Sequence, residues 1–452
     1  MSALHAPADD AVSEAVVMRK VGLRLVPFLI LCYFIAYIDR VNAGFAALTM
    51  NKDVGLSQAM FGIGGGLFFV AYVLFEVPSN LAMERFGARV WIARIMITWG
   101  LVGAAMAFVT GPYTFYLGRF LLGAAEAGFF PGVILYLTYW FPKAYRARIV
   151  ATFMVAIPLS SFLGSPLSAA LLQMDGLATL RGWQWLFIME AIPAVLLGLA
   201  ALVLLPSRPA DAAWLAPAER AWLSDRIAAD RGAASPVADH LPLWQVLSNK
   251  YVWALALIYS GSSATSNALS LWMPQILKSF GLSNVETGFL NMIPFGIASV
   301  FMIVWGLRAD RSGERVWSTA LPLALTATCL LATTLTTSLT VTLVLLSLVL
   351  VGNYAIKGPF WALATEWLSA GTAGAGIAGI NTLSHLGTGG ATWMLGVIKD
   401  RTGSFPLALT PLVVLTAAGS VMVLALGRAA RQRAASSPDR SRAPSQPSPR
   451  GA

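Results

Sequence analysis

Apolar segments recur along almost the entire chain, and each is long enough to cross a bilayer as a helix of about 20 residues. Hydrophobic residues make up 57% of the 452 residues and charged residues only 12%, whereas soluble domains carry about 25% charged residues. A soluble chain of this length would also divide into separate cores joined by polar linkers. We therefore predict an all-α membrane protein that crosses the lipid bilayer many times.

Twelve segments, numbered in chain order, are predicted to span the membrane, six on each side of a polar stretch at 206–249. The two halves, 22–205 and 250–427, are thus predicted to form two six-helix bundles. Residues 1–21 form a short lead, and the tail 428–452 is predicted to be disordered because it is rich in Arg, Ser and Pro. The predicted spans are 22–47, 58–82, 90–110, 112–139, 146–173, 183–205, 250–279, 286–308, 316–337, 339–366, 372–398 and 404–427.

Basic residues are distributed unequally between the two ends of these spans. Arg40, Arg119 and Lys357 fall within spans, and most of the others fall on the side of the termini. Because basic residues mark cytoplasmic loops, both termini and the central loop are predicted to be cytoplasmic, in a bacterial inner membrane. The net charge of +10 then requires no nucleic-acid partner, and none is expected. The connections on the opposite side contain only Lys52, Arg181, Lys278, Lys399 and Arg401.

A repeated segment relates the two halves. Residues 80–91 have the sequence NLAMERFGARVW and residues 306–317 have the sequence GLRADRSGERVW, with six of twelve positions identical. The two copies lie half a chain length apart, and each follows the second span of its half. A repeat in equivalent loops indicates two structurally equivalent six-helix bundles.

This repeat resembles the signature loop of the major facilitator superfamily, G-x-x-x-D-R-x-G-x-R-R. Val90 and Val316 stand in place of the last basic residue of the signature, and the first copy also has Asn80 for Gly and Glu84 for Asp. The resemblance implies the two-bundle fold of that superfamily. Carboxylates and arginines at these helix ends can pair across helices and latch one conformer; alternatively, they are positive-inside charges at a tight glycine turn. The predicted latch residues are Glu84, Arg85, Arg89, Asp310, Arg311 and Arg315.

Further stretches over roughly residues 20–430 resemble the anion:cation symporter family of that superfamily. They are YIDRVN (37–42), GRFLLGAAEAGFFPG (118–132), YWFP (139–142), WQWLFIME (183–190) and GPFWAL (358–363). The segment FEVPSN at 75–80 is most similar to the tartrate and aromatic-acid members. That family takes up organic anions such as tartrate, sugar acids and phthalate together with protons. The resemblance implies the same activity here and assigns the proton-coupling role to Glu126.

Ionisable side chains within the spans point to a functional site, because a charge placed in lipid costs at least ~2.5–3.5 kcal/mol. Tyr33, Tyr37 and Arg40 lie on one face of span 1. Arginine can bind a carboxylate through two nitrogens, so Arg40 and Tyr37 are predicted to bind an anionic substrate, unless Arg40 is paired permanently with a neighbouring helix. Asp39 is rotated by about 100° from Arg40 and is predicted to brace another helix or to carry a proton.

Two other spans contribute charged candidates. Arg119 and Glu126 share a face of span 4, and a mid-membrane carboxylate balanced between burial and arginines can take up and release a proton. The alternative is a structural Arg119–Glu126 pair. In span 10, Lys357 precedes Gly358-Pro359, where the helix is predicted to break, and it is a second predicted anion contact.

Four uncharged or weakly basic residues complete the predicted substrate site. Asn381 and His385 lie one turn apart on span 11 and can hydrogen-bond a hydroxyl or a carboxylate, although they can equally join two helices. Tyr72 in span 2 and Trp361 in span 10 are also predicted substrate contacts, although aromatic residues at helical spacing commonly serve packing.

The patterns predict a monomeric secondary transporter and not an enzyme, and the family resemblance implies that it takes up a small organic anion with protons, using the proton gradient without a cofactor. The phosphate-binding motif of ATP-driven pumps is absent. The three histidines and two cysteines are far apart, so we predict no catalytic cluster and no metal site. Two alternatives remain, namely proton-coupled export of a drug or metabolite and a membrane sensor that does not transport.

Reporter fusions test the predicted topology. Reporters fused at Ala452 and inserted within residues 206–249 should both show cytoplasmic activity, because the basic residues concentrate at that end of the spans. A periplasmic signal at either position would contradict the arrangement of twelve spans.

Overall fold

The computed structural model describes residues 13–232, 248–368 and 373–436, and the regular elements of these residues are all helices. Long apolar segments become helices here because a helix satisfies every backbone polar group internally, which lipid cannot do. The helices, apart from short 3-10 turns, are α1 (Glu14–Asp53), α2 (Gln58–Phe86), α3 (Ala88–Ala105), α4 (Pro112–Glu126), α5 (Phe129–Trp140), α6 (Lys143–Leu171), α7 (Gly182–Leu204), α8 (Pro217–Gly232), α9 (Lys250–Lys278), α10 (Asn284–Ser312), α11 (Arg315–Thr333), α12 (Leu339–Ala355), α13 (Lys357–Trp367), α14 (Ala373–Thr402), α15 (Phe405–Ala408) and α16 (Thr410–Ser436).

Each of the twelve predicted spans is occupied by one long helix or by two consecutive helices. Ten of these segments are long and apolar enough to cross a membrane. The other two, α9 and α14, are 29 and 30 residues long but more polar, because each has a row of buried hydroxyl groups. The rows face each other, since Thr388 Oγ1 donates to Ser263 Oγ at 3.0 Å. The structure confirms the predicted all-α fold.

Helix packing repeats between the two halves of the chain. In the first half α1 packs on α6 and α7, α3 on α7, and α2 on α4. In the second half the equivalent pairs are α9 with α14 and α16, α11 with α16, and α10 with α12. The repeated pairs are those expected of the two equivalent bundles that the repeated loop predicts.

Spans 4 and 10, which are equivalent in the two halves, are both broken. Span 4 divides into α4 and α5 at Ala127 and Gly128, where Gly128 has a φ of 83° that favours glycine. Span 10 divides into α12 and α13 at Ile356, immediately before Lys357. The break near Gly358-Pro359 is thus confirmed, whereas the break in span 4 was not predicted. Both breaks place a charged residue, Glu126 or Lys357, at a helix terminus.

The two halves meet most closely towards one end of the molecule. We call the end of the molecule that is nearest the two chain termini the terminal end. The halves meet at the other end, which we call the far end. The meeting pairs are α2 with α14, α6 with α10, and α1 with α9. Gly44 of α1 lies so near α9 that a Cβ atom there would be 2.7 Å from the Ser270 carbonyl oxygen. Glycine is therefore required for this contact between the halves.

Helical structure extends beyond the predicted spans at three places. Helix α1 begins at Glu14, within the predicted lead, and α16 continues to Ser436, so the first residues of the predicted disordered tail are helical. Alanine-rich sequence favours this extension. The central loop contains α8, and Lys20 Nζ lies 2.5 Å from its Glu219 Oε1. The Lys20 ammonium and the Ala216 N–H hold the pKa of Glu219 below its usual value.

Candidate functional site

An ion pair between α1 and α4 lies at the centre of the first half. Arg40 Nε donates to Glu126 Oε1 at 2.7 Å, and Arg40 Nη2 contacts the same oxygen. The Glu126 side chain is 4% exposed and the Arg40 side chain 16% exposed, so water can reach the arginine but barely the carboxylate. The break at Gly128 ends α4 at Glu126 and leaves this side chain at the helix terminus. Arg40 therefore has a carboxylate partner within the protein.

Aromatic rings surround the Arg40 guanidinium. Its carbon lies 4.7 Å from the ring centroid of Tyr37, 5.7 Å from that of Phe68 and 5.8 Å from that of Tyr72. Cation–π contacts of this kind hold a guanidinium in place without neutralising it. The structure thus brings together the predicted residues Arg40, Tyr37 and Tyr72, and it adds Phe68.

Arg119 lies on the same Phe68 ring, 4.9 Å from its centroid. Its Nε is buried without a hydrogen-bond partner, and within the described residues no carboxylate lies within 4.0 Å of it. Glu126 therefore pairs with Arg40 and not with Arg119, which shares its helix. A small internal cavity of about 30 Å³ lies beside these groups. Its walls include Asp39, Arg40, Arg119 and Glu126 from the first half and Asn267, Ser270 and Thr392 from the second.

Asp39 lies at the cavity wall but bonds away from Arg40. Its carboxylate accepts hydrogen bonds from Trp99 Nε1 and, at 2.5 Å, from Asn42 Nδ2. Trp99 belongs to α3, so Asp39 joins α1 to α3, as the first of its two predicted roles requires. Deeper in the same half, Glu190 accepts a hydrogen bond from Ser168 Oγ at 2.7 Å.

Lys357 is the buried cation of the second half. It is 6% exposed, and within the described part of the chain no carboxylate approaches it within 4.0 Å. Its ammonium lies 5.5 Å from the ring centroids of Tyr259 and Tyr354. The predicted residue Trp361 contacts it only indirectly, through the Tyr259 ring at 4.9 Å. A buried ammonium without a carboxylate favours binding of an anion.

Residues of α2 and α14 meet beside Tyr72, one of the rings around Arg40. The His385 ring lies 5.1 Å from the Tyr72 ring and 5.7 Å from the Phe69 ring. One turn away, Asn381 Nδ2 donates to Glu76 Oε1 at 3.3 Å. His385 Nδ1 and Glu76 Oε2 are buried and lack a partner among the described residues. Asn381 thus joins the halves, and His385 lies against two aromatic rings of α2.

The predicted latch residues are placed at the terminal end of the two halves. Arg315 Nη1 lies 2.9 Å from Asp310 Oδ1, and its Nε lies 3.8 Å from Glu366 Oε1, so this cluster joins α10, α11 and α13 of the second half. Over the described ranges, ion pairs within 4.0 Å are not formed by Glu84, Arg85, Arg89 or Arg311.

Comparison with known proteins agrees with this architecture. The family model described as Major Facilitator Superfamily matches residues 29–392. The chain belongs to the major facilitator superfamily. An Agrobacterium vitis protein named "Putative tartrate transporter" is 50% identical over 415 residues, which cover 92% of each chain. An Acinetobacter baumannii protein named "Quinolone resistance transporter" is 38% identical over 410 residues, covering 90% of this chain and 94% of that protein.

The same fold is present in solved structures of other transporters. A bacterial homologue of the human lysosomal transporter Spinster, described as inward-facing and unoccupied, superposes with a TM-score of 0.69 at 17% identity, covering 93% of this chain and 96% of the other. At that identity the likeness concerns the fold alone. The family match and the similarity to transporters over 92% of the chain identify it as a multi-pass transporter of the superfamily.

Substitution of Arg40 tests its predicted contact with an anion. Arg40→Lys retains the charge but loses the planar arrangement of two donors, so the apparent affinity for a carboxylate substrate should fall by at least about tenfold in uptake assays. Arg94→Lys is the matched control, because Arg94 packs on Trp91 in the same half and does not line the cavity. Unchanged affinity in Arg40→Lys would exclude Arg40 as a substrate ligand.

Proposed function

We propose that this protein takes up a small organic carboxylate together with protons by alternating access. The observation that favours this function is the distribution of charge at the centre of the molecule. Arg40 is neutralised by Glu126, whereas Arg119 and Lys357 have no carboxylate within 4.0 Å among the described residues. An anion that enters between the halves would find an unpaired cation on each side.

The Arg40–Glu126 pair provides a coupling mechanism. When Glu126 is ionised, its carboxylate occupies the Arg40 nitrogens that a substrate carboxylate would use. Protonation of Glu126 neutralises the carboxylate, breaks the ion pair and leaves Arg40 free to bind the substrate in a two-nitrogen geometry. After substrate and proton leave, the ion pair forms again and the empty carrier returns. Asp39 is a second candidate proton site at the same cavity wall.

The substrate would be held from both halves. In this proposal Arg40 and Tyr37 bind one carboxylate, while Lys357, with Trp361 behind Tyr259, attracts a second anionic group. The unpartnered His385 Nδ1 and the nearby Tyr72 hydroxyl are suited to a substrate hydroxyl, with Asn381 one turn away. A hydroxylated dicarboxylate such as tartrate fits this set of groups, and it agrees with the name of the Agrobacterium vitis relative.

Membrane orientation is part of the same proposal. The terminal end would face the bacterial cytoplasm, because the basic loops lie there. The far end, where the halves meet, would then face the periplasm, and the described conformer would be closed on that side. The protein would work as a monomer on the proton gradient, with the six latch residues acting at the cytoplasmic end.

Export of an aromatic drug is the second candidate function. The observation that favours it is the 38% identity to a relative named as a quinolone resistance transporter. Accumulation of a quinolone in inverted vesicles that carry the protein, driven by a pH difference, would support export. Accumulation of labelled tartrate in right-side-out vesicles, without quinolone transport, would support uptake.

Substitution of Glu126 tests proton coupling. Glu126→Gln mimics the protonated side chain and cannot release a proton, so substrate exchange between preloaded vesicles should persist. Uphill uptake driven by a pH difference should be lost, because proton movement is no longer tied to the ion pair.

Glu190→Gln is the matched control for this experiment. Glu190 is a buried carboxylate of the same half, but it does not line the cavity and contacts Ser168 instead of an arginine. Uphill uptake should persist in Glu190→Gln. If Glu126→Gln still accumulates substrate against its gradient, Glu126 is not the coupling site, and Asp39→Asn becomes the next variant to measure.

A further inference from the structure

A carboxylate from one half of the molecule caps a helix of the other half. Asp400, near the far end of α14, accepts hydrogen bonds from two successive backbone N–H groups of α2. Its Oδ1 lies 2.9 Å from the nitrogen of Gln58, and its Oδ2 lies 2.7 Å from that of Ala59. These N–H groups are the first two of the helix, so the contact lies at the far-end meeting point of the halves.

The first four N–H groups of a helix have no acceptor within the helix, and its N-terminal end carries a partial positive charge. Ser57, which precedes α2, provides an acceptor for only one of these N–H groups, since its Oγ accepts from the N–H of Met60 at 3.2 Å. The carboxylate of Asp400 accepts from two of the other N–H groups through charge-assisted hydrogen bonds. The cap of α2 is therefore shared between the two halves.

Neighbouring backbone contacts show how closely the halves approach at this point. A Cβ atom at Gly396, one turn before Asp400, would lie 2.3 Å from the carbonyl oxygen of Gln58. Any separation of the halves at the far end would pull Gln58 away from both Gly396 and Asp400. The hydrogen bonds of Asp400 consequently exist only in a conformer whose far end is closed.

The adjacent basic residues Lys399 and Arg401 form no ion pair with Asp400 within 4.0 Å. Lys399 Nζ turns to the carbonyl oxygen of Gly403 at 2.5 Å and lies 4.0 Å from the centroid of the Phe405 ring. Across the described ranges, no Lys or Arg nitrogen lies within 4.0 Å of the Asp400 carboxylate. The Asp400 carboxylate therefore makes its hydrogen bonds to the N-terminal end of α2.

We propose that Asp400 is a positioning residue that stabilises the closed far end. It thereby sets the ratio of the closed to the open conformer during transport. Its two hydrogen bonds form when the far end closes and are replaced by water when it opens. The free-energy cost of breaking these hydrogen bonds stays small, because the Asp400 carboxylate and the N-terminal end of α2 are both partly exposed to solvent. The bonds can therefore break and form again in every transport cycle. This role depends on movement of the halves and not on the identity of the substrate.

Distance measurements between spin labels test this proposal. Labels at Tyr113 and Leu335, which are 87% and 84% exposed at the far ends of opposite halves, would report the opening, in full-length protein with Cys32 and Cys329 replaced by alanine. Asp400→Ala should raise the ratio of open to closed far end by about tenfold, the effect of removing a strong helix cap. Asp400→Glu, which keeps the charge, should restore most of the closed population.

Asp175→Ala is the matched control. Asp175 also caps a helix with its carboxylate at the far end, but its Oδ1 accepts from the Gly182 nitrogen at 2.9 Å within the first half. This variant should leave the distance distribution unchanged. If Asp400→Ala gives poorly folded protein, Asp400→Asn, which loses the charge and one of the two acceptor oxygens, should still shift the ratio in the same direction. Equal distributions in wild type, Asp400→Asn and every folded Asp400 variant would overturn the proposal, as would an equal shift in Asp175→Ala.

Discussion

The ion pair of Arg40 and Glu126 is the interaction on which the arrangement of the site depends. Both groups lie inside a membrane-spanning bundle, where loss of one partner of a buried pair costs about 3–5 kcal/mol. The pair can therefore open only if the carboxylate is protonated or if another anion replaces it. In the proposed mechanism this constraint would link a proton and an organic anion at one arginine, and Lys357 in the opposite half would attract the anion across the space between the halves.

The fold places these groups where relative movement of the halves affects them. Spans 4 and 10 are equivalent in the two halves, and both are broken, which leaves Glu126 and Lys357 at helix termini instead of in continuous helices. Buried apolar side chains hold the helices of the bundles together, whereas other large apolar side chains are exposed on the outer surface. Contact between the bundles is concentrated at the far end, where glycine allows backbones to touch and Asp400 caps α2. The proposed alternating access would require each bundle to move as a unit about the central site.

The fold and the candidate charged residues could be predicted from the sequence, but the partners of those residues could not. Repeated apolar segments and duplicated loops predict the two bundles, and helical periodicity places Tyr37 beside Arg40. The same periodicity puts Glu126 on the face of Arg119, whereas its partner is Arg40, because the helix ends at Glu126 and turns the carboxylate towards α1. The contacts of Asn381 with Glu76 and of Asp400 with Gln58 join residues more than 300 positions apart, which local patterns cannot predict.

Proton uptake on substrate binding tests the competition at Arg40 most directly. Titration calorimetry of the purified protein with tartrate, repeated at one pH in buffers of different ionisation enthalpy, gives the number of protons taken up per bound molecule. At a pH where Glu126 is ionised in the empty carrier, we expect roughly one proton to be taken up by wild type and none by Glu126→Gln. Tartrate binding without proton uptake by the wild-type protein would contradict the proposal that Glu126 and the substrate compete for Arg40.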